Sequence, residues 1–465
     1  MTRRSSKISA LAIAAALGGF LTVNADAQTL ESAMATAYAS NPTLIAARAG
    51  VKAVDEAVPQ ARAGMRPQVD ATATVGASRT SINGAPSGSS SEPRSVALNA
   101  SQALYDGGRT WNSVDAAISG VDAARARLAD TEQNILLQVV TQYMNVRRDQ
   151  EFVKLAENNV RVISEQLRAA EDRFAVGEVT RTDVSQANAR LAQSRASLAA
   201  QEGALARSFQ AYGRVVGAPP GDLSAPPPVP PLPATLADAV QDALDNHPAV
   251  RAARFDEEQA RFDIATAQGA LLPTVTLSGS VSYSEDQSAT LSNGITSGQV
   301  QLQARIPLYQ GGAAYAGIRR TQAVRSQRMS QIHETTRAVQ EAVENAWTDL
   351  ETARITTRAG REQVAAAQLA FEGVTEEAKL GSRTTLDVLD AEQELLNARS
   401  NVVSSERDEY VAAYALLSAI GRLSVQGLGV PVEPYDPNEN YVAVNDRFFG
   451  FQKDELTEWK NPLSP

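Results

Sequence analysis

The chain is written twice. Residues 30–77 and 236–283 align without a gap at an offset of 206, pairing Leu30 with Leu236, Pro42 with Pro248, Arg48 with Arg254 and Pro67 with Pro273. Further on the offset becomes 204. Leu104-Tyr105-Asp106-Gly107-Gly108 then matches Leu308-Tyr309-Gln310-Gly311-Gly312, Gly177 matches Gly381, and Asp183-Val184 matches Asp387-Val388. Self-similarity on this scale constrains the fold more than any motif, because both halves must build the same unit. The halves, 28–217 and 234–424, meet at a proline-rich connector, 218–233, which such a composition makes extended and semi-rigid. A tail, 425–465, follows.

Within each half the order of patterns is the same. A helical stretch (about 30–64 and 236–270) is broken at Asn41-Pro42 and His247-Pro248, since proline disfavours helix at the residue before it. Pro59 has no counterpart, Ala265 standing in its place, so a kink is expected in the first half only. Next come two strands, forming hairpins over about 67–105 and 273–309. Val69, Ala71, Ala73 and Val75 alternate with more polar residues, as do Val96, Leu98 and Ala100, then Val275, Leu277 and Val281, then Val300, Leu302 and Ala304. Period-two patterning with one apolar face marks a strand. Polar loops, 81–93 and 284–297, read as solvent-exposed hairpin tips.

A very long helix follows, about 109–176 and 313–380. In the first copy Val139, Val146, Val153, Val160, Leu167 and Phe174 recur every seventh residue. The second seam, Val343, Leu350, Thr357, Val364, Phe371 and Ala378, is weaker. A sustained heptad means helices packed as a coiled coil, here roughly 100 Å long at 1.5 Å per residue. Turns at Gly177 and Gly381 reverse the chain into shorter return helices.

The first 27 residues read as a secretory signal: Arg3, Arg4 and Lys7, then an apolar stretch from Ile8 to Val23, then Ala25-Asp26-Ala27 as a small-x-small cleavage site before Gln28. Elsewhere no apolar run reaches the length of a spanning helix, whereas alternating barrel strands give only a weak hydropathy signal. A formal charge of −10 argues against nucleic acid as a partner. With no cysteine, neither disulfides nor thiol chemistry are available. His247 and His333 stand far apart, and no phosphate loop or Gly-x-Ser-x-Gly occurs. Neither catalysis nor a metal or other cofactor is expected.

Four strands per chain cannot close a barrel, which needs about eight, and open edges are excluded from lipid. Two chains would supply eight strands and three would supply twelve. Because both hairpins occupy the same place in their repeats, the helices must lie on one side of the sheet. A barrel continued by a long helical body describes a duct. The rival is an exported structural coiled-coil protein of the periplasm, which leaves the two alternating hairpins unexplained.

At this point the chain resembles the TolC family of outer-membrane efflux and type I secretion channels, over about 28–424. The resemblance is carried by Ser40–Pro42, Leu271–Ser278, Pro307–Gly312 and Gly381–Arg399. It implies a mainly helical protein with a β-barrel portion: a homotrimer whose twelve-stranded barrel sits in outer-membrane lipid above a periplasmic tunnel of long coiled-coil helices. It also implies docking, through a periplasmic adaptor, to an inner-membrane transporter of the ABC or RND type. Asp387 and Asp390 match aspartates that ring the periplasmic constriction and favour cations, although Thr384-x-x-Asp387 also reads as a capping box. Arg383 matches an arginine that holds the tunnel closed by reaching Thr182 and Asp183; the family's tyrosine in that network falls at Ala378. Val176, Gly177, Leu380 and Gly381 match tips that meet the adaptor, where glycine also serves the turn itself. Tyr105, Tyr283 and Tyr309 fit either an interfacial belt or core packing. In the tail, Pro434–Pro437 and Arg447–Gly450 look like docking points on the outside of the tunnel.

Overall fold

The computed structural model describes residues 28–80, 89–285 and 293–450. Residues 1–27, which hold the expected secretory signal, and residues 81–88, 286–292 and 451–465 lie outside the described residues. Helix α1 spans Leu30–Ser40 and α2 spans Pro42–Asp55. Between them Asn41 caps α2, its side chain accepting from the backbone N–H groups of Thr43 and Leu44, while Pro42 occupies a first-turn position that needs no donor. The second half repeats the device. Helix α1 is matched by Leu236–Asn246, and His247 Nδ1 accepts from Ala249 N at 3.1 Å to start the next helix, Pro248–Gly269. The halves then differ as the lone proline implies. The first breaks at Glu56 and resumes as α3, Ala57–Arg62, with Pro59 in its first turn, followed by a 3-10 turn over 63–65. The second runs through without interruption.

The first hairpin pairs β1 (Gln68–Val75) with a strand at Arg94–Tyr105. Two short strands, β2 (Ser78–Thr80) and β3 (Ser89–Ser91), extend it; their serine-rich sequence gave no alternating signal. Numbered in chain order, Arg94–Tyr105 is β4, and the second hairpin is β5 (Thr274–Glu285) with β6 (Ile295–Arg305). The sheet order is β1-β4-β5-β6, antiparallel throughout, so β4 and β5 join the two repeats. Both hairpins share one register: Val69 faces Ala100, and its repeat partner Val275 faces Ala304. At the base of β4 the register slips from Ala103 opposite Thr276 to Tyr105 opposite Val275. This bulge at Leu104 turns Tyr105 onto the apolar face. Strands β1 and β6 are the two edges, and a single chain leaves the sheet open.

Helices α4 (Arg109–Ala175) and, in the second half, α8 (Ala313–Lys379) are 67 residues each. Their return partners are α5 (Arg181–Val216) and α9 (Thr385–Ala419); the shorter second-half helices described above are α6 and α7. The heptad positions face inward where the helices are most crowded. Val139, Val146, Val343 and Leu350 are buried, and so is Thr357, so the polar residue does not break the second seam. The core lies at mid-length. There Leu30 and Met34 of α1 wedge among Val139 and Tyr143 of α4, Tyr212 of α5 and Leu416 of α9. Each such side chain contributes about 1.5–3 kcal/mol through burial.

The connector is strapped to this core. Gln28 bridges to Leu223, and the Tyr143 hydroxyl lies 2.9 Å from Gln28 O and 2.8 Å from Ser224 O. Tyr410 donates to Pro227 O at 3.0 Å. The tail is tied down as well. Tyr435 N donates to the Tyr38 hydroxyl at 3.0 Å, and Arg48 sits between the rings of Tyr38 and Tyr435 at 4.3 and 5.0 Å. Helix α10 (Asn438–Val444) brings Asn440 Nδ2 to within 2.8 Å of Asp55 Oδ2. Asp55 is fully buried 3.9 Å from Arg125, and its burial pushes the carboxyl up against the opposing effects of Asn440 and Arg125.

Candidate constriction at the helical tips

The two coiled-coil hairpins end in the same turn. After α4, Gly177 takes φ +80, its N–H donating to Phe174 O at 3.0 Å, and Glu178 N donates to Arg173 O at 2.9 Å. After α8, Gly381 takes φ +80, and Ser382 N donates to Glu377 O at 3.0 Å. A left-handed residue whose own N–H and that of its successor satisfy the last carbonyls is a standard helix stop. Val176 and Leu380, immediately before these glycines, are 72% and 86% exposed. A Cβ on either glycine would meet nothing within 4 Å. Steric room is therefore not what selects glycine there; the positive φ is.

The return helices start with matched capping boxes. Thr180 Oγ1 accepts from Asp183 N, and Asp183 Oδ2 accepts from Thr180 N at 2.8 Å. Thr384 and Asp387 repeat this, with Asp387 Oδ2 2.9 Å from both Thr384 N and Thr384 Oγ1. The hydrogen bonds from Thr384 backbone and side chain hold the Asp387 carboxyl below the ordinary aspartate value, helped by nearby Arg383. Asp183 is lowered in the same way by Thr180.

Within one chain, Arg383 Nε donates to Glu377 Oε2 at 2.8 Å, and Asp183 is engaged by Thr180. The reason is local: the Gly381 turn folds 382–383 back over the last turn of α8, where Glu377 stands. Thr182 is exposed in the first turn of α5. Ala378 is buried, filling a position at the end of the second seam.

Asp390, for which the sequence suggested no structural partner, has one. Arg190 Nη2 donates to its Oδ1 at 2.8 Å, linking α5 to α9. Beneath this pair, Leu389 packs with Ile163, Ala187 and Leu191, closing the two hairpins against each other. Glu392, one turn further along α9, is buried, and desolvation raises its carboxyl while Arg399 and Arg161 oppose the shift. Neither Arg190 nor Glu392 stood out in the sequence, because helix patterns reveal which face a residue takes but not which neighbour it meets. Among the described residues no group of three or more His, Asp or Glu is placed to hold a metal, and no helix is long and apolar enough to cross a membrane.

The arrangement is thus a four-stranded sheet, a helical body about 100 Å long, and carboxylates gathered at the far tips. Known proteins are similar to the chain in sequence and fold. The family model for the outer membrane efflux protein matches residues 33–218 and 239–422, one block for each repeat. The outer membrane efflux protein BepC of Brucella suis is 36% identical, over 91% of this chain and 92% of its own. The outer membrane protein TolC of Vibrio cholerae is 27% identical, over 90% of this chain and 96% of its own. In structure, the Campylobacter jejuni CmeC outer membrane channel superposes with a TM-score of 0.75 at 16% identity, over 96% of this chain and 98% of that one. With both repeats matched and a relative this close along nearly its whole length, the chain belongs to the outer membrane efflux protein family, a family of outer-membrane channels rather than enzymes.

Proposed function

We propose that three copies of this chain close one twelve-stranded barrel and one twelve-helix tunnel, forming a passive exit duct for efflux or type I secretion. The observation that carries the reading is the sheet with two unpaired edges above a 67-residue helix and its return partner in each repeat. Lipid does not tolerate such edges, so neighbouring copies must pair them. Asp387 and Asp390 line the narrow end and favour cations. The exposed turns at Val176–Gly177 and Leu380–Gly381 receive a periplasmic adaptor, which couples the duct to an inner-membrane transporter of the ABC or RND type.

Planar-bilayer recording of the detergent-purified full-length protein tests this. Small cation-selective openings that widen and lose selectivity in Asp387→Ala/Asp390→Ala support the duct. Absence of any conductance, from protein shown to be trimeric and membrane-extracted, overturns it in favour of a structural coiled coil.

A further inference from the structure

The tail climbs along α2 and α3 toward the sheet. Arg62 Nη1 donates to Asn445 O at 3.2 Å and pairs with Asp446 at 2.8 Å. Arg66, two residues before β1, donates to Arg447 O at 3.4 Å and lies 4.1 Å from the centre of the Phe448 ring. The level of this contact is fixed from the other side. A Cβ on Gly64 would sit 2.8 Å from Thr110 Oγ1 in the first turn of α4, and Gln102 of β4 donates to Met65 O at 3.2 Å. Phe448 therefore stands where helices give way to strands.

At that level the chain exposes rings. Phe448 is 67% exposed and Phe449 91%. Tyr105 and Trp111, and their repeat partners Tyr309 and Tyr315, are also exposed there, at the strand bases and in the first turns of α4 and α8. The apolar strand face carrying Leu98 and Val281 rises directly above. Exposed rings in water mark an interaction surface. Rings flanked by arginine, at the edge of a lipid-facing sheet, match the headgroup zone, where aromatic side chains settle and guanidinium groups meet phosphate.

We propose that Phe448 and Phe449 form a membrane-interface anchor: the C-terminal segment lays these rings among phospholipid headgroups of the periplasm-facing leaflet, with Arg66 and Arg447 beside the phosphates. The proposal rests on the reading that the sheet lies in the outer membrane. It adds a lipid contact made by the tail, separate from those made by the barrel.

The absence of cysteine allows single-site labelling. Nitroxide labels on Phe449→Cys, Leu98→Cys and Val176→Cys, in the full chain reconstituted in phosphatidylethanolamine/phosphatidylglycerol vesicles, are compared by collision with oxygen and with a water-soluble nickel chelate. The label at 449 is expected to show less than half the nickel accessibility of that at 176, with oxygen accessibility approaching that at 98. Nickel accessibility at 449 equal to that at 176 overturns the anchor, as does an immobile label shielded from both reagents, which would place the segment against a neighbouring copy. High nickel accessibility at 98 would overturn the membrane reading itself and the anchor with it.

Discussion

Arg190 and Asp390 are 200 residues apart in sequence and 2.8 Å apart in space, joining the first repeat's return helix to the second's within the first three turns from the tips. The repeat offset maps this pair onto Glu394 and Gln186, which carry no opposite charges. The ion pair therefore belongs to one kind of helix seam, and a seam of the other kind, between copies, would lack it. Arg190 is 35% exposed and Asp390 58%, so solvent screening limits the pair to about 0–1 kcal/mol. Under the proposed function its consequence is charge at the narrow end of the duct. Arg190→Gln is expected to raise cation-over-anion permeability in a low-salt gradient while changing thermal stability little. Adding Asp390→Asn should return selectivity toward the parent value. Unchanged selectivity in both variants would place the pair off the conduction path.

The shared hairpin register yields a pairing between copies. If the β6–β1 seam of a closed barrel copies the β4–β5 seam, then Ala100 opposite Gly279 maps onto Ala304 opposite Ala73 of the next copy. Directly opposed strand residues lie about 4.5–5.5 Å apart, within disulfide range. Ala304→Cys/Ala73→Cys should oxidise to a covalent trimer on denaturing gels. Ala304→Cys/Thr74→Cys should not, because a shift of one residue puts the thiols on opposite faces. Equal cross-linking in both would reject this register.

How the strap is held is testable by subtraction. Tyr143→Phe removes one hydroxyl from a buried site where Arg147 still donates to Ser224 O. A loss of about 1 kcal/mol is expected, as for a single net hydrogen bond. Tyr143→Ala also empties the core and should cost roughly 3–5 kcal/mol. Thermal unfolding in detergent at fixed protein concentration separates the two.

Gly107 and Gly311 occupy the same repeat position, with φ +75 and +61, but differ in surroundings. A Cβ at Gly107 would lie 2.5 Å from Gly269 O, whereas at Gly311 it would meet nothing within 4 Å of its own chain. Gly311→Ala should cost about 1–2 kcal/mol, the left-handed penalty alone. Gly107→Ala carries that penalty and a backbone clash, and should sharply reduce the yield of folded protein in the membrane fraction.

Acid should reach the tips late. The carboxyls of Asp183 and Asp387 are depressed in the folded chain, so their capping contribution is fully present above the ordinary aspartate value of about 3.9. It is lost only as pH falls through the lower folded value. Carbon-13 titration of the two carboxyls should give midpoints below that of an unstructured aspartate, and Thr384→Ala should move Asp387 back up. A midpoint at or above the ordinary value would contradict the capping geometry.

Much of the fold was legible because repeat and period are collective properties. The valines from 139 to 160, the strand alternation at 96–100 and the lone Pro59 each announced an element, and aligning the halves checked each against its twin. The site was less legible. The Asp387 capping box lies within four residues and could be read, but it competed with a role in the pore. The contact of Arg383 with Glu377, six residues back, depends on the turn at Gly381 and has no periodic signature. Arg190 and Glu392 depended on how two helices from different repeats meet, which no local pattern encodes. The hairpin β2–β3 was hidden by serines that alternate with nothing.

The strap over 218–233 also acts as a sorting device. The halves it joins are not interchangeable: one is kinked near Pro59 and the other straight, one carries Arg190 where the other carries Glu394, and one carries Gln186 where the other carries Asp390. If the halves were made as separate polypeptides, nothing covalent would stop like from neighbouring like, and rings of mixed order would form. Fused through the strap, every copy delivers one of each, and a closed ring must alternate them.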